Sequence, residues 1–293
     1  MHYQNQRVLL ASKHQKEKAI QPPFEEKLGC RIHVPADYDT DQFGTFTGEI
    51  PRKASAYETL ILKAKAAAKQ FGYRYVISSE GSFGPHPQLY FCPADTELMA
   101  FIDLDNDLII AEHEVSTETN YSHIDISATD DYEAFLNKAK FPSHGIIVRA
   151  LNSEENYIQK GICEREQLKT AIQKGICERE QLKTAIQKAF TYSTTIRLET
   201  DMRAMMNPLR MNVINKLAVK LVHRIQQYCP QCHTPGFGKI SAEGHLACIS
   251  CGTPTELYLR KVLNCLKCEF KTYQARDDGL EFADQRYCPY CNP

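Results

Sequence analysis

The clearest periodicity in the chain lies where Tyr57, Leu60, Ile61, Ala64, Ala68 and Phe71 recur at three- and four-residue spacing, one apolar face of a helix. Ser55-Ala-Tyr-Glu58 has the form of a capping box at its start, and Gly72 supplies the stop. Upstream, Arg7-Val-Leu-Leu-Ala-Ser12 is a short apolar run that predicts a strand. Gln15 to Leu28 has helical spacing, disturbed at Pro22-Pro23 and closed by Gly29, and Cys30 to Val34 returns as a second strand. Downstream, strands are predicted at Tyr73 to Ser79, Gln88 to Pro93, Glu97 to Leu104 and Leu108 to Val115, the last two parted by a turn at Asp105-Asn-Asp107.

The pattern continues with a helix from Asp130 to Lys140 and strands at Gly145 to Arg149 and Thr195 to Glu199. Met211, Ile214, Leu217, Leu221, Val222, Ile225 and Tyr228 then mark an amphipathic helix that runs into the tail. Between these lies an identical tandem copy: Gln159 to Ile172 is repeated as Gln173 to Ile186. Fourteen residues return a helical face to within about 40°, so one long helix could absorb the copy without losing its buried stripe. Alternation of strands and helices predicts an α/β fold, a mixed central sheet flanked by helices, over residues 1–228. A cysteine-rich module follows over residues 229–293.

Composition narrows the picture. With 293 residues, 43% of them hydrophobic, the chain can bury one large core or two smaller ones. The start is polar, and no apolar run approaches the roughly 18 residues of a membrane span, so a soluble, cytoplasmic protein without a membrane partner is expected. Thirty-five basic residues against 36 acidic ones give no long-range field to gather nucleic acid.

Eight of the twelve cysteines form four CxxC pairs: Cys229/Cys232, Cys248/Cys251, Cys265/Cys268 and Cys288/Cys291. A two-residue gap lets a backbone turn aim two thiolates at one tetrahedral ion, so four pairs make two zinc sites, read as tandem zinc ribbons. Consecutive pairing, the first two pairs on one ion and the last two on the other, needs only one local hairpin per site; interleaved pairing stays open. A closed four-thiolate shell leaves no position for substrate, which makes both ions structural. The tail has seven Lys/Arg and seven Asp/Glu; eight thiolates and two dications leave it about four charges negative by formal counting. That disfavours nucleic acid and leaves a protein partner as the ribbons' expected contact.

Three loops are dense in polar groups. Ser12-Lys-His-Gln-Lys-Glu-Lys18 sits where the first strand meets the first helix, so backbone donors at the helix start and the lysine ammoniums could hold phosphate. Asp37 to Glu49 carries acids and two glycines. Ser78-Ser-Glu-Gly-Ser-Phe-Gly-Pro-His86 reads as a loop at a strand's carboxyl end, where open α/β sheets place ligands. A fourth segment, Glu199-Thr-Asp-Met-Arg203, adds carboxylates and an arginine before Asn207-Pro208.

Ala11-Ser12 with Lys16, then Gly44-Thr-Phe46, Glu58 with Lys63-Ala64, and Glu80-Gly81 follow an order that resembles the inosine/xanthosine triphosphate pyrophosphatase superfamily, including its Maf branch. The resemblance covers residues 7 to 90 and departs from the family where Ser78-Ser79 replaces paired acids and His14 replaces asparagine. Over nearly the whole length, Ser79 to His86, Glu199 to Met205 and the terminal CxxC pairs resemble an uncharacterised bacterial family, domain of unknown function 6671, which implies no activity.

These residues lead to a Mg²⁺-dependent phosphohydrolase or pyrophosphatase acting on a nucleotide or similar phosphorylated small molecule. Lys16, Glu58, Glu80, Asp201 and Arg203 are the expected catalytic set; Ser12, Lys13, His14, Thr45, Lys63, Ser82 and His86 are the expected substrate contacts. The competing expectation is a non-catalytic zinc-ribbon adaptor that binds protein or nucleic acid and keeps a vestigial pocket.

Overall fold

The structure is a computed structural model that describes residues 2–44, 54–152, 157–163 and 171–293. The chain opens with β1 (Arg7–Ala11), α1 (Glu17–Leu28), β2 (Arg31–His33), α2 (Ala56–Phe71), β3 (Tyr75–Pro85), β4 (Pro93–Asp103) and β5 (Leu108–Ser116). It continues with β6 (His123–Ile126), α3 (Glu133–Ala139), β7 (Ile146–Ala150), β8 (Ile158–Ile162), α4 (Ala171–Phe190), β9 (Ile196–Thr200) and α5 (Pro208–Ile225). The C-terminal module holds β10 (Gly238–Ala247), β11 (Pro254–Asn264) and β12 (Lys271–Gln274). Among the described residues no helix is long and apolar enough to cross a membrane.

The expected mixed sheet is present, in the order β2-β1-β3-β4-β5. Its first three strands are parallel, and β4 and β5 join antiparallel. Alternation along β1 sends Val8 and Leu10 to one face, where they meet Ile20 and Phe24 of α1 and Ile214, Leu217 and Leu221 of α5. Leu9 and Ala11 go to the other face and meet Leu60, Ala64 and Ala67 of α2. The predicted stops hold: Gly29 and Gly72 take φ of 65° and 70°, and each amide reaches back to the preceding turn. The Ser55/Glu58 capping box forms in both directions. α1 runs through Pro22 and Pro23 without a break.

Three readings need correction. Ser78 to Pro85 is not a loop: β3 runs on to Pro85 and pairs residue by residue with β4 as far as Pro85↔Pro93. Gln88 to Pro93, read as a strand, is instead the exposed tip of that hairpin. The tip is closed by His86, whose Nδ1 accepts from the amides of Gln88 and Leu89; an alternating apolar run alone does not distinguish a strand from a turn that exposes Leu89, Tyr90 and Phe91. The repeat does not form one helix, for Gln159-Lys-Gly-Ile162 of the first copy lies in β8, while the same residues of the second copy lie in α4. Pairing with β7, Ile146↔Ile162 and Val148↔Gln159, overrides the local preference.

A second sheet, antiparallel and ordered β6-β9-β7-β8, was not foreseen. Ile146, Val148, Ile196 and Leu198 pack on one side against Phe135 and Leu136 of α3 and Leu182, Ala185 and Ala189 of α4. Its other face carries His123, Asp125, Arg197 and Glu199, brought side by side by the register His123↔Glu199 and Asp125↔Arg197.

Candidate functional site

A cavity of about 390 Å³ opens where β3 meets this charged face, lined among others by Gly44, Glu80, Gly81, Ser82, Phe83, Tyr121, His123, Arg197, Glu199, Asp201 and Arg203. Strand alternation aims Ser79 toward the α1 side and Glu80 toward the α2 side. Lys16 Nζ, at the start of α1, donates to Ser79 Oγ at 3.1 Å. Lys63 Nζ, from α2, donates to Ser79 O at 2.6 Å and forms a close ion pair with Glu80. Burial, with the Arg210 charge next, pushes the Lys16 ammonium down to about 8.

Beneath the cavity lies a wholly buried ion pair, Arg210 Nε to Glu97 Oε1 at 2.5 Å. The Arg210 guanidinium also stands 5.1 Å from the centre of the Phe83 ring. Asp95, two residues before Glu97 and on the same face of β4, has its carboxyl pushed up to about 8 by burial and by the Glu97 charge. Burial beside the Glu97 carboxylate thus favours the protonated form of Asp95. On the opposite wall, Asp201 is fully buried and accepts from Arg203 Nε at 3.0 Å, Arg203 Nη2 at 2.6 Å and the Gly161 amide at 3.1 Å. Asn207, not Asp201, caps α5, accepting from the Arg210 amide at 3.0 Å. Arg197 pairs bidentately with Asp125, and Arg149 donates from Nε and Nη2 to the single oxygen Oε1 of Glu199.

Four of the residues nominated from sequence thus share one cavity: Glu80 and Ser82 from β3, and Asp201 and Arg203 from beyond β9. Lys16 and Lys63 stand buried behind them. Glu58 lies apart, exposed, with its carboxylate taken by the Ser55 amide and hydroxyl at 2.9 and 2.8 Å. Lys13 pairs with Asp39 at the surface, Ser12 Oγ turns to Lys13 O, and His14 stands in a left-handed turn with φ of 65°. His86 serves its hairpin tip. Thr45 lies outside the described residues. Sequence reading missed Glu97 and Arg210, although a signal existed: Arg210 falls four and seven residues before Ile214 and Leu217, on the buried stripe of α5.

The cysteines form two quartets, Cys229/Cys232/Cys265/Cys268 and Cys248/Cys251/Cys288/Cys291, with all four sulfurs of each within 4.8 Å of one another. The pairing is interleaved, and the expected consecutive pairing is ruled out by the length of the hairpin. β10 and β11 pair from Gly238↔Asn264 at the base to Ala247↔Pro254 at the tip, a separation of roughly 30 Å at about 3.3 Å per residue. The first and third cysteine pairs flank its base and the second forms its tip. Closest contacts of 3.5 to 3.9 Å between sulfurs of different pairs exclude disulfides.

Both leading half-sites have the sequence CxxC-x-Thr-Pro and the same turn. The amides of Cys229 and Cys248 donate to Thr234 O and Thr253 O, while His233 and Gly252 take positive φ. Thr234 and Thr253, through hydroxyl and amide, pull the thiols of Cys232 and Cys251 down to about 6. The amides of Lys267, Cys268 and Cys291 point at the sulfurs of Cys265 and Cys288. Four convergent thiols with amide support make each quartet able to hold a metal ion as thiolates.

Fold and site define a mixed α/β protein with a central mixed sheet and a C-terminal pair of four-cysteine clusters that could form two metal sites. The chain belongs to the family described as Domain of unknown function (DUF6671), whose model matches residues 63–293. That match begins at Lys63 and leaves out Ser12 to Glu58, on which most of the likeness to nucleotide pyrophosphatases stands. Among solved structures, the crystal structure of protein VC0702 from Vibrio cholerae aligns at 8% identity and a TM-score of 0.27, over 38% of this chain and 62% of that one; so distant a likeness carries no argument. Comparison with curated proteins gives no match.

Proposed function

We propose that the cavity binds a nucleotide or similar phosphorylated small molecule together with Mg²⁺, and that the chain hydrolyses it. The observation that carries this reading is the convergence of Glu80, Asp201 and Arg203 on one cavity, with Glu80 and Asp201 121 residues apart in sequence. Glu80 pairs with Lys63, Glu199 with Arg149 and Asp201 with Arg203, so carboxylates and cations alternate around the cavity, a lining that suits a phosphate accompanied by a divalent cation. Mg²⁺ takes one or two carboxylates and completes its shell with water and phosphate.

Glu80 and Asp201 would hold that ion, which when bound polarises the phosphoryl group and acidifies water. Arg203 offsets charge developing on the phosphate. Lys63 orients Glu80, Lys16 fixes Ser79, and Ser82 offers a hydroxyl to the ligand. Glu58 drops out of the set because its carboxylate serves the helix cap. Four soft thiolates in each quartet suit Zn²⁺ in a closed, structural shell.

A thermal-shift screen of nucleoside triphosphates with and without Mg²⁺, followed by phosphate release on any that bind, tests the proposal. A stabilising shift that needs Mg²⁺, and turnover lost in Glu80→Gln, is expected. No shift with any nucleotide would sink it. Binding without turnover would favour the adaptor reading, to which the exposed Ile249, Phe282 and Tyr290 around the second quartet also lend a surface.

A further inference from the structure

We infer that the two metal sites are unequal and dependent: the quartet Cys229/Cys232/Cys265/Cys268 is an inner site that loads first and stays loaded, and Cys248/Cys251/Cys288/Cys291 is an outer site that forms only on the inner one. This rests on the zinc reading above.

The asymmetry begins with the anchorage. Cys229 follows α5 by four residues, and Arg224 on the last turn of α5 ties down the segment beyond it. Its Nε donates to Gly236 O at 2.7 Å, and its Nη1 to Lys239 O at 2.9 Å and to Glu112 Oε1 of β5 at 3.0 Å. Gly236 lies so close to the core that a Cβ there would stand 2.7 Å from Ile110 Cγ1. Half of the inner quartet is therefore positioned by the core, whether or not a metal is bound. The outer quartet stands at the far end of the hairpin. Its ties run within the module, Ile249 N to Ala283 O and Ala283 N to Ala247 O, both at 2.9 Å.

The dependence comes from chain order. Cys288 and Cys291 reach the tip only after the chain turns at Cys265–Cys268 and runs back along β12. That strand is four residues long, exposed at every position, and starts three residues after Cys268. Its register on β11, Asn264↔Lys271 and Val262↔Tyr273, follows directly from the inner turn. A short exposed edge strand is marginal by itself. With the inner ion gone, the return strand loses its starting point and the outer cysteines their approach. With the outer ion gone, both halves of the inner site remain where α5 and the base of the hairpin hold them.

The test uses the full-length, zinc-loaded protein, stripped stepwise with a chelator while native mass spectrometry counts ions and alkylation maps free thiols. At one ion per chain, Cys251 and Cys291 should be alkylated and Cys232 and Cys268 protected. Equal labelling of the two quartets, or inner labelling first, overturns the inference. In variants, Cys291→Ser should keep one ion and Cys268→Ser none; a Cys268→Ser chain that keeps one ion on protected outer cysteines also overturns it. Should Cys268→Ser not fold, the stripping of the unmodified chain still decides. A chain that takes up no zinc sinks the zinc reading itself, whereas two ions lost in the wrong order sink only the dependence.

Discussion

Glu97 and Arg210 meet through a 2.5 Å contact from Oε1 to Nε, across 113 residues of sequence, with neither side chain exposed to solvent. The pair joins β4 to α5 directly under the cavity floor. Removing one partner leaves the other charge buried, so Glu97→Gln or Arg210→Met is expected to cost about 3–5 kcal/mol in urea unfolding. The double variant Glu97→Leu/Arg210→Met leaves no orphan charge and should recover much of that loss. A sum of two independent losses in the double variant would show that the pair is not coupled.

Gly81 lies on this pair. A Cβ at that position would stand 2.5 Å from Glu97 Oε1 and clash with Arg210 Nη2 as well. The clash falls on side chains that have no room to yield, so Gly81→Ala should destabilise by about 1–3 kcal/mol. It should also weaken any ligand of the cavity, which Gly81 lines. Gly84→Ala on the same strand meets no atom within 4 Å and serves as the control; equal Tm values for the two variants would refute the close-approach argument.

Asp95 gives the core a pH dependence with a definite sign. Its carboxyl has an ordinary value of 3.8 and is pushed up to about 8 by burial and by Glu97, against the opposing pull of Arg210 and Lys16. Between those values the native chain holds a proton that the unfolded chain has released, so this group's contribution to stability falls as pH rises across the window. Thermal unfolding from about pH 4 to about pH 8 should therefore show a falling component that Asp95→Asn removes. An unchanged pH profile in Asp95→Asn would contradict the buried, protonated carboxyl.

Ser55 and Glu58 separate stability from chemistry. Ser55 Oγ accepts from the Glu58 amide at 3.2 Å, and the Glu58 carboxylate returns to the Ser55 amide at 2.9 Å. Ser55→Ala should cost about 1 kcal/mol through loss of the cap. Glu58→Gln retains an acceptor and should leave both stability and any nucleotide turnover near their starting levels. Turnover abolished in Glu58→Gln at unchanged Tm would restore Glu58 to the catalytic set.

Much of the scaffold was legible because its signals are local. Capping box, stop glycines and apolar periodicity located α2, and CxxC spacing located all eight metal-ligand candidates. Reading failed where the deciding partner is distant. The sequence Gln-Lys-Gly-Ile occurs twice, once in β8 and once in α4, and only the presence of β7 beside the first copy separates them. The same limit hid Arg210, whose charge on a buried stripe makes sense only once Glu97 is seen opposite.

By itself, then, the sequence determined which residues could ligate metal and where the locally signalled elements lie, among them β1, α1, α2 and α5, since each follows from contacts within a few residues. Tertiary structure decided which cysteine pairs come together in one quartet, because the reach of a hairpin about 30 Å long depends on how its strands pair. It also decided that Glu80, Asp201 and Arg203 share a cavity while Glu58 does not, because convergence of side chains from separate sheets is set by packing and not by spacing along the chain.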